Sequence, residues 1–181
     1  EAYADVLKLL NFYRKLAGLP ENVKNDETLN NGCYLAAKYS SRAASLSHSI
    51  HDYWKDTCDF NSGDNWQLIE SSLKNSNLAQ GEERIMSMIS GLIDDEGADN
   101  EDSVGHRRWF LYPYLTKIGV GFYPLSKHRM EGYTVQYPPS GVFNVINENY
   151  NSNEYTGVNF IAWPPAGPFP LERLPSSWSV Y

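Results

Sequence analysis

The sequence predicts an α+β domain with its helices and strands segregated along the chain. Helical periodicity is confined to the residues before Gly97, short β-type runs follow it, and no strand–helix–strand alternation appears. With 181 residues, 41% apolar and 20% charged, the chain is long enough to bury a core. No internal repeat and no linker composition divides it, so one domain is expected over 1–181.

From Ala4 to Ala17, apolar Val6, Leu9/Leu10, Tyr13 and Leu16/Ala17 recur at three- and four-residue steps, and Gly18 and Pro20 stop the helix. Asp26 suits the N-cap of a second helix, whose inner stripe is Leu29, Cys33, Ala36/Ala37 and Ala43/Ala44. So small a face implies close packing against another layer. This helix should end near Leu46, just before His48. Residues 47–79 show no clean period; Asp56, Asn61, Gly63, Asp64 and Asn65 mark turns, with Trp54 and Trp66 as anchors. A third helix is expected from Gln80 to Asp94. Glu82 and Glu83 fall in its first turn, where the dipole favours anions, and Ile85, Met88/Ile89 and Leu92 form its buried stripe. The β-type runs are Ile118–Tyr123, Tyr133–Tyr137, Val142–Ile146, Val158–Trp163 and Trp178–Tyr181. Asn147–Tyr155 reads as a polar loop, and five Pro and Gly residues between 164 and 170 make a rigid, non-regular stretch.

Charge and composition exclude some functions. Lys+Arg 15 against Asp+Glu 22 gives a net charge of -7, the wrong sign for a phosphate-backbone binder, so nucleic acid is not an expected partner. No apolar stretch approaches the roughly 20 residues that cross a bilayer. Thirteen Tyr, five Trp, seven Phe and sixteen Asn lean toward an extracellular or carbohydrate-rich setting. The sequence opens at Glu1 directly on a helical pattern, as a secreted protein with its leader removed would. Cys33 and Cys58 are compatible with one disulfide in an oxidising compartment or two buried thiols in a reducing one.

The histidines are His48, His51, His106 and His128, and neither His-Glu-x-x-His nor Cys-x-x-Cys occurs. His48 and His51 either chelate a cation from one helical turn or divide between a cavity wall and the surface. Asp94-Asp95-Glu96 stands at the end of the third helix, where the dipole disfavours anions by roughly 0.3–1 kcal/mol each. His106, Arg107 and Arg108 follow within a dozen residues. One reading is an ion-pair network stapling the helix end to the next loop. The other is a carboxylate that orients His106 as a metal ligand or general base. Glu70, beside Leu68 and Ile69 and outside a clear helix, is either a surface residue on a short turn or a partly buried carboxylate needing a donor. Nucleophilic catalysis has little support: there is no Gly-x-Ser-x-Gly elbow and no glycine-rich phosphate loop.

Leu46-Ser47-His48 after an Ala-rich helix, then a Glu, a helix ending in acids, Gly105-His106-Arg107-Arg108-Trp109 and Ile118-Gly119-Val120-Gly121 together resemble the CAP superfamily. These are the SCP-like extracellular proteins: cysteine-rich secretory proteins, antigen 5 and plant pathogenesis-related proteins. Ala162-Trp163-Pro164-Pro165-Ala166-Gly167-Pro168-Phe169-Pro170 is similar to a block of the bacterial branch. The resemblance covers nearly the whole chain and implies a secreted, three-layer α-β-α sandwich with a large open cleft. In the family that cleft carries two His and two acids, and in several members the two His hold a divalent cation, often zinc.

Position by position, the resemblance implies His48 and His106 as metal ligands, with Glu70 and Asp95 as the acids. All four are the catalytic candidates. The neighbours Ile69 and Ser71 depart from the family pattern around the first acid, for which Glu82 or Glu83 is the alternative. Leu92 replaces the Trp that precedes the second acid, and Asp95 is one methylene shorter than Glu, which suits a water-mediated role or one behind the ligands. The implied function is binding of a small-molecule, lipid, glycan or protein ligand. The alternative is a metal-assisted hydrolase of peptide or cell-wall material. Two imidazoles fall short of the three protein ligands usual for catalytic zinc.

Overall fold

The computed structural model describes residues 2–52, 65–97, 100, 102–130, 132–146 and 160–181. Helix α1 (Ala2–Leu16) ends where Gly18 takes φ +73°, a conformation that costs a residue without Cβ nothing. Helix α2 (Glu27–Ala43) starts on the expected cap, the Asp26 carboxylate accepting from the Thr28 N–H at 3.1 Å.

Four strands form the central sheet: β1 (Lys24–Asn25), β2 (Ser76–Gln80), β3 (Lys117–Tyr123) and β6 (Ser140–Asn144). Their spatial order is β1-β3-β6-β2. β1 runs parallel to β3, and β6 is antiparallel to both β3 and β2. Alternation along each strand divides the side chains between two cores. On one face, Leu78 and Val142 pack with Cys33, Ala36 and Ala37 of α2 and with Ile69 and Leu73 of α3 (Trp66–Lys74). On the other, Ile118, Val120 and Phe143 meet α1, α4 (Ile85–Asp94) and Phe110 of α5 (Gly105–Phe110). Each buried Val, Leu, Ile or Phe side chain among these contributes roughly 1.5–3 kcal/mol. The architecture is the three-layer α-β-α sandwich that the resemblance implied.

The Ala-rich stripe of α2 does meet another layer closely. A Cβ at Gly121 would collide with the backbone of Cys33 and Tyr34, and one at Gly119 with the side chain of Leu29. Only glycine at these β3 positions lets the helix sit so near the sheet. Cys33 is a free thiol wholly enclosed here, and burial pushes its pKa up to about 12. Cys58 and Trp54 lie outside the described residues, as does the expected 147–155 loop.

Several local expectations are corrected. Gln80 is the last residue of β2, paired with Ser140; the chain turns at Gly81 (φ +102°), and α4 begins only at Ile85 with Arg84 at its N-cap. Glu82 and Glu83 therefore precede the helix and lie exposed, not in its first turn. Glu70 is helical, within α3, which Asn65 caps by accepting from the Leu68 N–H at 3.1 Å. The segment Gly105–Phe110, read as loop, forms the short helix α5. An unexpected strand, β4 (Ser126–Met130), pairs with β5 (Tyr133–Tyr137), whereas β7 (Ala162–Trp163) and β8 (Ser179–Val180), which pair with each other, fall within expected runs.

Candidate functional site

Two non-glycine residues in the left-handed region stand at the two ends of the connection that leads to His106. Asp95 closes α4 with φ 49°, and Val104 opens α5 with φ 40°. Such a conformation in a β-branched residue costs on the order of 1–3 kcal/mol and persists only where its surroundings impose it. The Asp95 carboxylate is 1% exposed and fully engaged. Its Oδ1 lies 2.7 Å from His106 Nδ1, and its Oδ2 accepts the Arg107 backbone N–H at 3.2 Å. The His106 ring stays 24% exposed, and Asn77 Nδ2 of β2 donates to the His106 carbonyl at 2.9 Å. Ring and backbone are both held.

Arg107 anchors this corner from below. Its wholly buried guanidinium donates to the Ile93 and Asp94 carbonyls, each at 2.6 Å, and to Ser177 O and Ser179 Oγ at 3.1 and 3.0 Å. The staple expected at the end of α4 exists, but it is built mainly of carbonyl acceptors that cap the helix. Burial holds the Arg107 pKa below its usual value, with Asp95 opposing that shift. Half-buried Asp94 is displaced upward, first by desolvation and then by Glu96.

His48 follows α2, whose end is set by Ala44 at φ 47°. Its Nδ1 lies 2.8 Å from the carbonyl oxygen of Leu73, near the end of α3. A carbonyl cannot donate, so this Nδ1 carries the proton; His106 Nδ1, facing a carboxylate, does too. In its neutral form each ring therefore keeps Nε2 as the lone-pair nitrogen. Leu73 and Asn77 flank the corner where α3 passes into the edge strand β2. His48 is bonded to that corner through the α3 layer, and His106 through the strand itself.

The other candidates are placed differently. Glu70 Oε1 forms an ion pair with Lys74 Nζ at 2.9 Å across one turn of α3, both side chains being well exposed. Residues 48–51 are not helical, which removes the one-turn chelate of His48 with His51. His51 donates its backbone N–H to the Tyr39 hydroxyl, and His128 lies exposed on β4 opposite Val135. Among the described residues no group of three or more His, Cys, Asp or Glu is gathered to hold a metal ion. Sequence reasoning missed the Leu73 carbonyl, which no side-chain pattern announces. It also missed Asn77, which stands two residues after Asn75 in a segment rich in turn-forming residues.

Helices on both faces of a four-stranded sheet, with a carboxylate–imidazole pair at one corner, define an α-β-α sandwich domain with a polar site beside its edge strand. The sequence model of the cysteine-rich secretory protein family, CAP, matches residues 7–137, and the chain belongs to that family. Members are typically extracellular, and no helix among the described residues is long and apolar enough to cross a membrane. No curated protein matches the chain.

Proposed function

We propose that this chain is a secreted CAP domain of the bacterial branch in which His48 and His106 together hold a divalent cation, zinc foremost. The cation would sit in a polar cleft that recruits a small-molecule, lipid, glycan or protein ligand. The observation that carries this reading is the matched anchoring of the two rings. Each imidazole gives its Nδ1–H to a fixed oxygen and leaves Nε2 for a metal, the arrangement by which metal-binding histidines are oriented. Asp95, with both oxygens already engaged, is a positioning residue for His106 and not a ligand. A bound cation would supply Lewis acidity, and two protein ligands leave positions for water and an incoming oxygen or nitrogen donor. Neutral imidazoles make such a site pH-dependent.

Calorimetric titration with zinc tests this. Wild type is expected to bind one ion per chain, either single variant, His48→Ala or His106→Ala, to lose about tenfold or more in affinity, and the double variant to give no heat. Absence of binding by wild type, or binding by the double variant equal to wild type, contradicts the reading. The Asp95–His106 pair also has the form of an oriented general base, which favours hydrolysis as the second reading. Peptide or cell-wall turnover that is lost in Asp95→Asn would promote it; turnover indifferent to that change would remove it.

A further inference from the structure

Helix α5 also borders a hollow that the proposed metal site does not use. Arg108 and Trp109 line it with Tyr112, Ile161 and Tyr181, enclosing about 420 Å³, within the range of small-molecule sites. Trp109, 36% exposed, packs tilted against Tyr112 with centroids 6.0 Å apart, and Tyr114 buttresses Tyr112 edge-on at 5.5 Å. The walls are therefore aromatic faces held by other rings. Gly105 adds no side chain, and an added Cβ there would meet only Ser103 Oγ, at 3.7 Å.

Arg108 is the only charged side chain among the described residues that line the hollow. Its guanidinium lies over the Tyr181 ring at 5.6 Å, which orients it along the wall. Among the described residues no carboxylate pairs with it, whereas Arg14 and Arg107 are saturated by carbonyl acceptors. In a protein of net charge -7, a guanidinium with no carboxylate side chain paired to it, beside aromatic walls, complements an anionic head on an apolar body. The described lining offers no carboxylate or carboxamide side chain for the hydroxyls of a sugar, and its cation repels an ammonium group. We infer that this hollow binds a small organic carboxylate, Arg108 pairing with the head and Trp109 and Tyr112 packing on the body.

The site needs neither histidine nor metal, so it stands or falls apart from the function proposed above. Calorimetry in EDTA with 4-phenylbutyrate, and with the neutral 4-phenylbutanamide as its counterpart, tests it. For ligands of this size a dissociation constant on the order of 1 mM or tighter is expected for the acid, and about tenfold weaker binding for the amide. Arg108→Gln should bring the acid down to the level of the amide and leave the amide unchanged; Trp109→Ala should weaken both. Both side chains are exposed, and the acid–amide comparison on wild type needs no variant. The inference is overturned if wild type shows no saturable binding of the acid up to about 10 mM. It is equally overturned if acid and amide bind alike, or if Arg108→Gln leaves acid binding intact.

Discussion

Asp95 is the residue on which the geometry of His106 depends. One carboxylate oxygen fixes the imidazole, and the other takes the N–H of the next residue, Arg107, so the ring and the start of α5 share a single acceptor group. An amide at position 95 can satisfy only one of these donors and turns its NH₂ toward the other. Asp95→Asn is therefore expected to weaken zinc binding by roughly 10–100-fold, the usual cost of losing the group behind a metal-binding imidazole. Calorimetry on the purified variant reads this directly, and affinity within twofold of wild type would show that the carboxylate is dispensable. This pairing was legible in the sequence, because three acids at a helix C-terminus require neutralising and His106 with two arginines follows closely. The setting of His48 was not. Its partner is a main-chain carbonyl, and only folding decides which carbonyl comes near.

Among the elements, α4 concentrates the tension between local preference and tertiary structure. Its C-terminal carbonyls are capped by the buried Arg107, yet Asp94 stands at the same end. Burial and then Glu96 raise the Asp94 carboxyl above its ordinary pKa, with Arg107 and Arg173 offsetting part of the effect. The folded state thus holds this proton more tightly than the unfolded chain. The group's stabilising contribution is complete below the ordinary carboxylate pKa and is lost as pH rises through the raised value. Asp94→Asn, which cannot ionise, is expected to melt above wild type at neutral pH, with the gain vanishing as pH falls below the ordinary carboxylate range. Melting curves across that pH series check the sign; a gain that grows toward acid would reverse it. The sequence located α1 and α2 well, since both have long apolar stripes and clear stop or cap residues. It left residues 76–79 without regular structure and gave Gln80 to α4, because Ser76–Gln80 carries little β propensity; pairing with β6 makes it a strand.

For the whole molecule, the order of layers decides what can meet. α2 and α3 cover one face of the sheet, and α1, α4 and α5 the other, so residues far apart in sequence share a core on each face. Helical periodicity in the first half and β-type runs in the second made the α+β class readable, although β1 and β2 lie among the helices and α5 after them, and the Gly105–Trp109 and Gly119–Gly121 blocks carried the family. The β4 strand was hidden because Lys127, His128 and Arg129 give it no apolar alternation, and the hairpin with β5 alone defines it. The proposed cation joins the two helical layers around β2 through one imidazole from each side. Side-chain ¹⁵N NMR of the histidines, before and during zinc addition, tests that most directly. Both His48 and His106 are expected as Nδ1–H tautomers in the metal-free protein, with their Nε2 signals shifting together and saturating at one equivalent of zinc. An Nε2–H tautomer at either position, or a response from only one ring, would contradict the account.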